Sequence, residues 1–242
     1  MYILFYYFYT SGSFIFPLAL VSDVTFSMFF SFLAFITFAV KLPIYGVHFW
    51  LPMAHVEAPT FGSIILAGVL LKLGGIGLLR LSPLISLSLL STLLLSYLMF
   101  ALSFVTLICC FQSDLKRLVA YSSVSHMIAI PILLLSNSSL AFKSSVILIF
   151  FHGISSPLLF MCVGVIYSVF STRQIVLLRG LLLFSPLFSL ILIIAFVFTM
   201  STPPFPSYVA EVAFLVFSYS LTHYIILPFF LFTFFSIVYN LN

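Results

Sequence analysis

Apolar runs of roughly twenty residues follow one another along this chain, with brief polar breaks and no polar stretch long enough for a soluble domain. Runs of that length cross a bilayer as helices, because in lipid every backbone N–H and C=O must find its partner within the segment. Composition agrees: 64% of the 242 residues are hydrophobic and 5% are charged, against about 25% charged in soluble domains. The expected class is therefore an all-α polytopic membrane protein, and with short loops the length accommodates about eight transmembrane helices. The net charge of +4 is thin and scattered, which gives nucleic-acid binding no support. Cys109, Cys110 and Cys162 lie in apolar runs without ligand spacing and read as small hydrophobes. Residues 1–20 lack the basic start and small-residue cleavage site of a secretory leader, so they read as a retained helix.

Helices are expected at about 3–21, 25–53, from the Glu57-Ala58-Pro59 turn to Arg80, 85–111, 115–135, 142–170, 181–219 and 222–240. Two of them are interrupted. Pro43, Gly46 and Pro52 punctuate the second, and Pro203-Pro204-Phe205-Pro206 breaks the seventh. Proline removes a helical hydrogen bond and frees carbonyls, and unwound backbone survives at membrane depth only inside protein or beside water. Regular bonding is expected to lapse near residues 42–48 and 202–207. Each break lies beside a charge: Lys41 two residues before Pro43, Glu211 five residues after Pro206. The breaks are five helices apart, an odd offset that gives two repeats opposite topology, as in transporters built from inverted repeats.

The few charges can be weighed singly. Lys41 and Lys72 each end an apolar run, residues 36–40 and 66–71. A lysine at the bilayer centre costs at least a few kcal/mol on insertion scales and commonly marks an ion or proton path. The competing reading is a lysine snorkelling to the interface; two lysines with Glu211 shift the balance to transport. Asp23, Arg80, Asp114, Lys143, Arg173 and Arg179 fall near helix ends and read as solvated or headgroup contacts, while Lys116 and Arg117 are ambiguous. His126 and His152 lie well inside apolar spans with serines one turn away, and neutral imidazole both accepts and donates protons. His48, His55 and Glu57 gather near the first break, and His223 falls in a loop without an assigned role. Lys116, Arg117, Arg173 and Arg179 share a side with the Glu57 turn, so the positive-inside rule puts that turn on the matrix or cytoplasmic side. The sequence carries no phosphate loop, CxxC pair, haem or iron–sulfur spacing, or nucleophile elbow.

The run Lys41-Leu-Pro-Ile-Tyr-Gly-Val-His48-Phe-Trp-Leu-Pro-Met-Ala-His55-Val-Glu57-Ala-Pro resembles the antiporter-like, proton-translocating subunits of NADH–ubiquinone oxidoreductase, respiratory complex I. Gly62-Ser-Ile-Ile-Leu-Ala-Gly-Val-Leu-Leu-Lys72-Leu-Gly-Gly narrows the likeness to the subunit 4 group, as do Ser113-Asp-Leu-Lys-Arg-Leu-Val-Ala-Tyr-Ser-Ser-Val-Ser-His126 and His152-Gly-Ile-Ser-Ser-Pro. The resemblance covers nearly the whole chain in order. It implies an antiporter-like inverted-repeat fold, with residues 1–80 an incomplete first repeat and 81–242 the second. It also implies a proton path through Lys41, Lys72, His126, His152 and Glu211, and a multi-pass place in the mitochondrial inner membrane. No cofactor would be bound by this chain, since NADH, flavin, iron–sulfur clusters and ubiquinone belong to other subunits. Implied partners are other membrane-arm subunits, membrane lipids, and a separate polypeptide supplying five N-terminal helices and a glutamate for Lys41. Two departures stand out: Ala210 where the family usually has glycine, and Ile76 where it has an aromatic. Two rival readings share these features, a subunit of a cation/proton antiporter and a scaffold that does not pump.

Overall fold

The computed structural model describes residues 28–82, 90–135, 138–178, 180–203, 205–221 and 226–241. The helix expected at 3–21, Asp23, Arg179 and His223 lie outside the described residues. Every regular element among the described residues is helical, and a single extended bridge joins Asp114 to Gln174. In order these are α1 (Met28–Ala39), α2 (Trp50–Glu57), α3 (Thr60–Leu81), α4 (Leu90–Cys110), α5 (Leu115–Leu134), α6 (Ser139–Phe170), a 3-10 turn (Ile175–Leu178), α7 (Leu181–Phe184), α8 (Pro186–Thr199), α9 (Pro206–Leu221) and α10 (Ile226–Leu241). Among the described residues, α3, α4, α5 and α6 are long and apolar enough to cross a membrane; the others are shorter.

Both breaks are present. Between α1 and α2 the chain turns irregularly through residues 40–49, and between α8 and α9 the described residues 200–203 and 205 are likewise irregular. Side chains take up carbonyls freed at the first break: Trp50 Nε1 donates to Val40 O at 3.2 Å and the Tyr97 hydroxyl to Tyr45 O at 2.7 Å. Gly46 has φ 96°, a left-handed geometry that glycine adopts without strain. Pro52 does not interrupt the helix. It sits in the first turn of α2, where its missing N–H has no helical partner to lose. The seventh expected helix also begins differently. Leu181–Phe184 is a separate turn, and α8 starts at Pro186, whose fixed φ suits the first helical position.

α5 is the centre of the bundle. It packs between α4 and α6 and also touches α2, α3 and α9, and 89% of its apolar window is buried, so it faces protein instead of lipid. Its buried serines stay satisfied by bonding back to their own helix: Ser122 to Val119 O, Ser123 to Ala120 O and Ser125 to Ser122 O. Between membrane helices, association rests on close packing and hydrogen bonds, which favours small residues at crossings. Gly74 lets the first break lie against α3: a Cβ there would stand 3.0 Å from Lys41 Cβ and 3.3 Å from the Leu42 backbone nitrogen. Backbone cannot step aside as a side-chain tip can. Gly74→Leu should therefore destabilise the bundle by about 1–3 kcal/mol through overpacking, seen as a lowered midpoint in thermal unfolding of the detergent-solubilised protein. An unchanged midpoint would show that the crossing is looser than described.

Candidate functional site

The site begins with a defect in α3. Residues Leu66–Leu70 are wound as a single π turn, with the Leu71 N–H bonding to Leu66 O, five residues back. Such turns recur at functional sites because they displace a helical carbonyl from its usual bond. Here the Ala67 carbonyl accepts from the Nζ of Lys72, one turn further on. The ammonium also lies 2.9 Å from His152 Nδ1 and 3.3 Å from Ser156 Oγ on α6. Gly153 faces this side chain, and a Cβ there would lie in ordinary contact with Lys72 Cε at 3.5 Å. Lys72 is buried, and its three neighbours supply the partners an intramembrane charge requires.

From His152 the polar line crosses the bundle. Its ring centroid lies 5.8 Å from that of His126 on α5, and His126 Nδ1 stands 3.9 Å from Glu211 Oε1 on α9. The same carboxylate oxygen accepts from Ser201 Oγ at 2.7 Å. Both histidines are buried and the Glu211 side chain is 16% exposed, so the line runs inside the protein. Beside it lies a cavity of about 20 Å³, bordered by His126, His152, Ser155, Thr199, Ser201 and Ser207 among others. That is room for about one water molecule. His126 Nε2 and Ser207 Oγ are buried without a protein partner, and both residues border this cavity. A water there would give them the partner they lack.

Four of the five residues singled out from sequence thus converge: Lys72, His152, His126 and Glu211. Lys41 is elsewhere. It emerges exposed at the first break, its Cβ against Gly74, two residues along from Lys72. His48 and His55 are buried but serve packing. His48 lies with Tyr45 and Phe49 stacked on it and accepts from the Gly46 N–H, while His55 stacks on Phe160 at 4.3 Å. Among the described residues neither is hydrogen-bonded to the Lys72 line. Lys116 resolves its ambiguity by pointing inward: its Nζ donates to Ala58 O at 2.6 Å and Val56 O at 3.5 Å, closing the end of α2. Arg173, read from sequence as a headgroup contact, reaches the same Val56 carbonyl and lies over the Tyr167 ring. Arg117 pairs with Asp114 at 3.4 Å on the exposed start of α5. Ala210 continues α9 without interruption, so the family's glycine is not needed for the backbone here. Sequence reasoning misses Ser201, whose available signal is its place two residues before the Pro203-Pro204 pair.

The fold is that of known membrane complexes. The chain superposes on a chain of respiratory complex I from Thermus thermophilus with bound NADH, with a TM-score of 0.85 at 23% identity, covering 99% of this chain and 53% of that one. It superposes on a chain of the Mrp complex from Dietzia sp. with a TM-score of 0.76 at 19% identity, covering 88% of this chain and 40% of that one. In sequence it is 40% identical over 183 residues to the NADH-ubiquinone oxidoreductase chain 4 of Paracentrotus lividus, covering 74% of this chain and 39% of that protein. It is 44% identical over 186 residues to the chain 4 of Prototheca wickerhamii, covering 76% of this chain and 35% of that protein. The chain thus spans well under half the length of these curated relatives. The model of the NADH:quinone oxidoreductase/Mrp antiporter transmembrane family matches residues 2–236, nearly end to end, and the chain belongs to that family.

Proposed function

We propose that this chain is a membrane-arm subunit of respiratory complex I in the mitochondrial inner membrane, contributing a proton path coupled to oxidation of NADH by ubiquinone. The observation that carries this is the buried line from Lys72 through His152 and His126 to Glu211. Every member can gain and lose a proton, and an intramembrane ionisable group without such a task is rarely kept. The curated relatives bear the chain 4 name, which favours complex I over a cation/proton antiporter of the same fold. In this reading NADH, flavin, iron–sulfur clusters and ubiquinone are bound by neighbouring subunits and none by this chain.

The architecture is read as about eight spans in two antiporter-like repeats of opposite topology, 1–80 and 81–242, with the breaks at corresponding places. Lys41 belongs to the path as its outer member. Its exposed position calls for a neighbouring membrane segment with a counter-charge. We assign that segment to a neighbouring element of the membrane arm that carries an intramembrane acid.

Isolation of the tagged chain from membranes under mild detergent tests the assignment. The expected result is co-purification with NADH-oxidising activity, flavin and iron–sulfur absorbance, and with a crosslink from Lys41→Cys to an acid-bearing membrane helix. Recovery with monovalent cation/proton exchange and no redox groups would replace complex I by the antiporter reading.

A further inference from the structure

We infer that Ser201 is a positioning residue for Glu211: the break between α8 and α9 holds its hydroxyl on the carboxylate and so fixes which oxygen faces His126. This rests on the proton-path reading and adds to it a residue that the path itself does not require.

The backbone supplies the first observation. Ser201 has φ 50°, and Ser171 is the other non-glycine residue with positive φ among the described residues. Ser171 caps the end of α6, a common place for this geometry. Ser201 stands just beyond the end of α8, where glycine would meet the same need without strain. Strained geometry of this kind persists where the surroundings enforce it, and it gathers at functional sites. What serine adds over glycine is its hydroxyl, and that hydroxyl is on Glu211 Oε1 at 2.7 Å.

The second observation is independent of the backbone. Oε1 is also the oxygen nearest His126 Nδ1, at 3.9 Å, and Ser201 borders the same small cavity as His126, His152 and Ser207. A carboxylate can turn about its last torsion, so a fixed donor on one oxygen selects one orientation. In the transfer a proton leaves His126 Nδ1 and binds Glu211 Oε1, converting imidazolium and carboxylate to imidazole and carboxylic acid. The remaining gap closes by a small rotation of the side chains. Ser201 keeps its own proton throughout. Ser201 is buried, which shields the contact from competing solvent.

The test uses the whole complex in sealed membrane vesicles, with NADH-driven proton transport followed across pH. Ser201→Ala and Ser201→Gly should both lower the rate about tenfold, the typical worth of a hydrogen bond to a charged group. Both should displace the pH profile and shift the carboxyl infrared band that disappears in Glu211→Gln. Ser201→Asn, which tolerates left-handed backbone and carries a donor, should recover most of the rate. Ser201→Gly relieves the backbone, so it carries the test should Ser201→Ala fail to assemble. Wild-type rate, profile and band in Ser201→Gly, with Glu211→Gln inactive, would overturn the positioning role alone. Wild-type transport in Glu211→Gln as well would overturn the proton path on which it rests.

Discussion

Replacing Lys72 by arginine should cut NADH-driven proton transport about a hundredfold while the complex still assembles. Removing a group that donates and accepts a proton typically costs at least that much. Arginine is the informative substitution because it preserves the charge and offers donors to Ala67 O, His152 Nδ1 and Ser156 Oγ. It cannot give up its proton at any physiological pH. If Lys72 served merely as a fixed positive charge holding α3 to α6, Lys72→Arg would work and Lys72→Met would fail. If it passes protons, both fail. Equal transport in Lys72→Arg and wild type, measured in sealed vesicles with assembly checked on native gels, would refute the relay.

Glu211→Gln should have a comparable effect, again about a hundredfold. The amide oxygen still accepts from Ser201 Oγ, so the fold around the second break should be kept. What is lost is a group able to bind and release a proton within reach of His126. Glu211→Asp should retain partial transport, because the carboxyl remains but is drawn back by one methylene from both His126 and Ser201. Full transport in Glu211→Gln, with wild-type thermal stability, would contradict the path from Lys72 to Glu211.

The breaks were legible because proline and glycine declare themselves, and a charge inside an apolar run declares itself too. Lys72 stands out as a charge in an apolar run, Glu211 as a charge beside a break, and His126 and His152 as imidazoles inside spans with serines a turn away; the structure sets the four beside one another. Other features left no such mark. The π turn at Leu66–Leu70 lies in Leu-Ala-Gly-Val-Leu, an ordinary helical run, and in the structure its Gly68 faces Pro157, with 3.1 Å to Pro157 Cγ from where a Cβ would stand. Pro52 looked like a breaker because spacing alone does not say whether a proline falls in a first turn. The direction of Lys41 depends on which face of an irregular turn meets α3, which sequence period cannot fix once the helix has ended. Lys116 was ambiguous for the same reason, since its partners Val56 and Ala58 lie 60 and 58 residues away. Ser201 was hidden by its backbone: positive φ at a serine is a rare state imposed by its neighbours.

The central claim is that one buried line carries protons in series, and the rates of NADH-driven proton transport in Lys72→Arg, Glu211→Gln and the double variant test it most directly. Groups that act as a unit are strongly non-additive, so the double variant should be no slower than the slower single one, with a loss near a hundredfold in all three. Multiplied losses in the double variant, or wild-type proton yield per NADH in either single one, would contradict it.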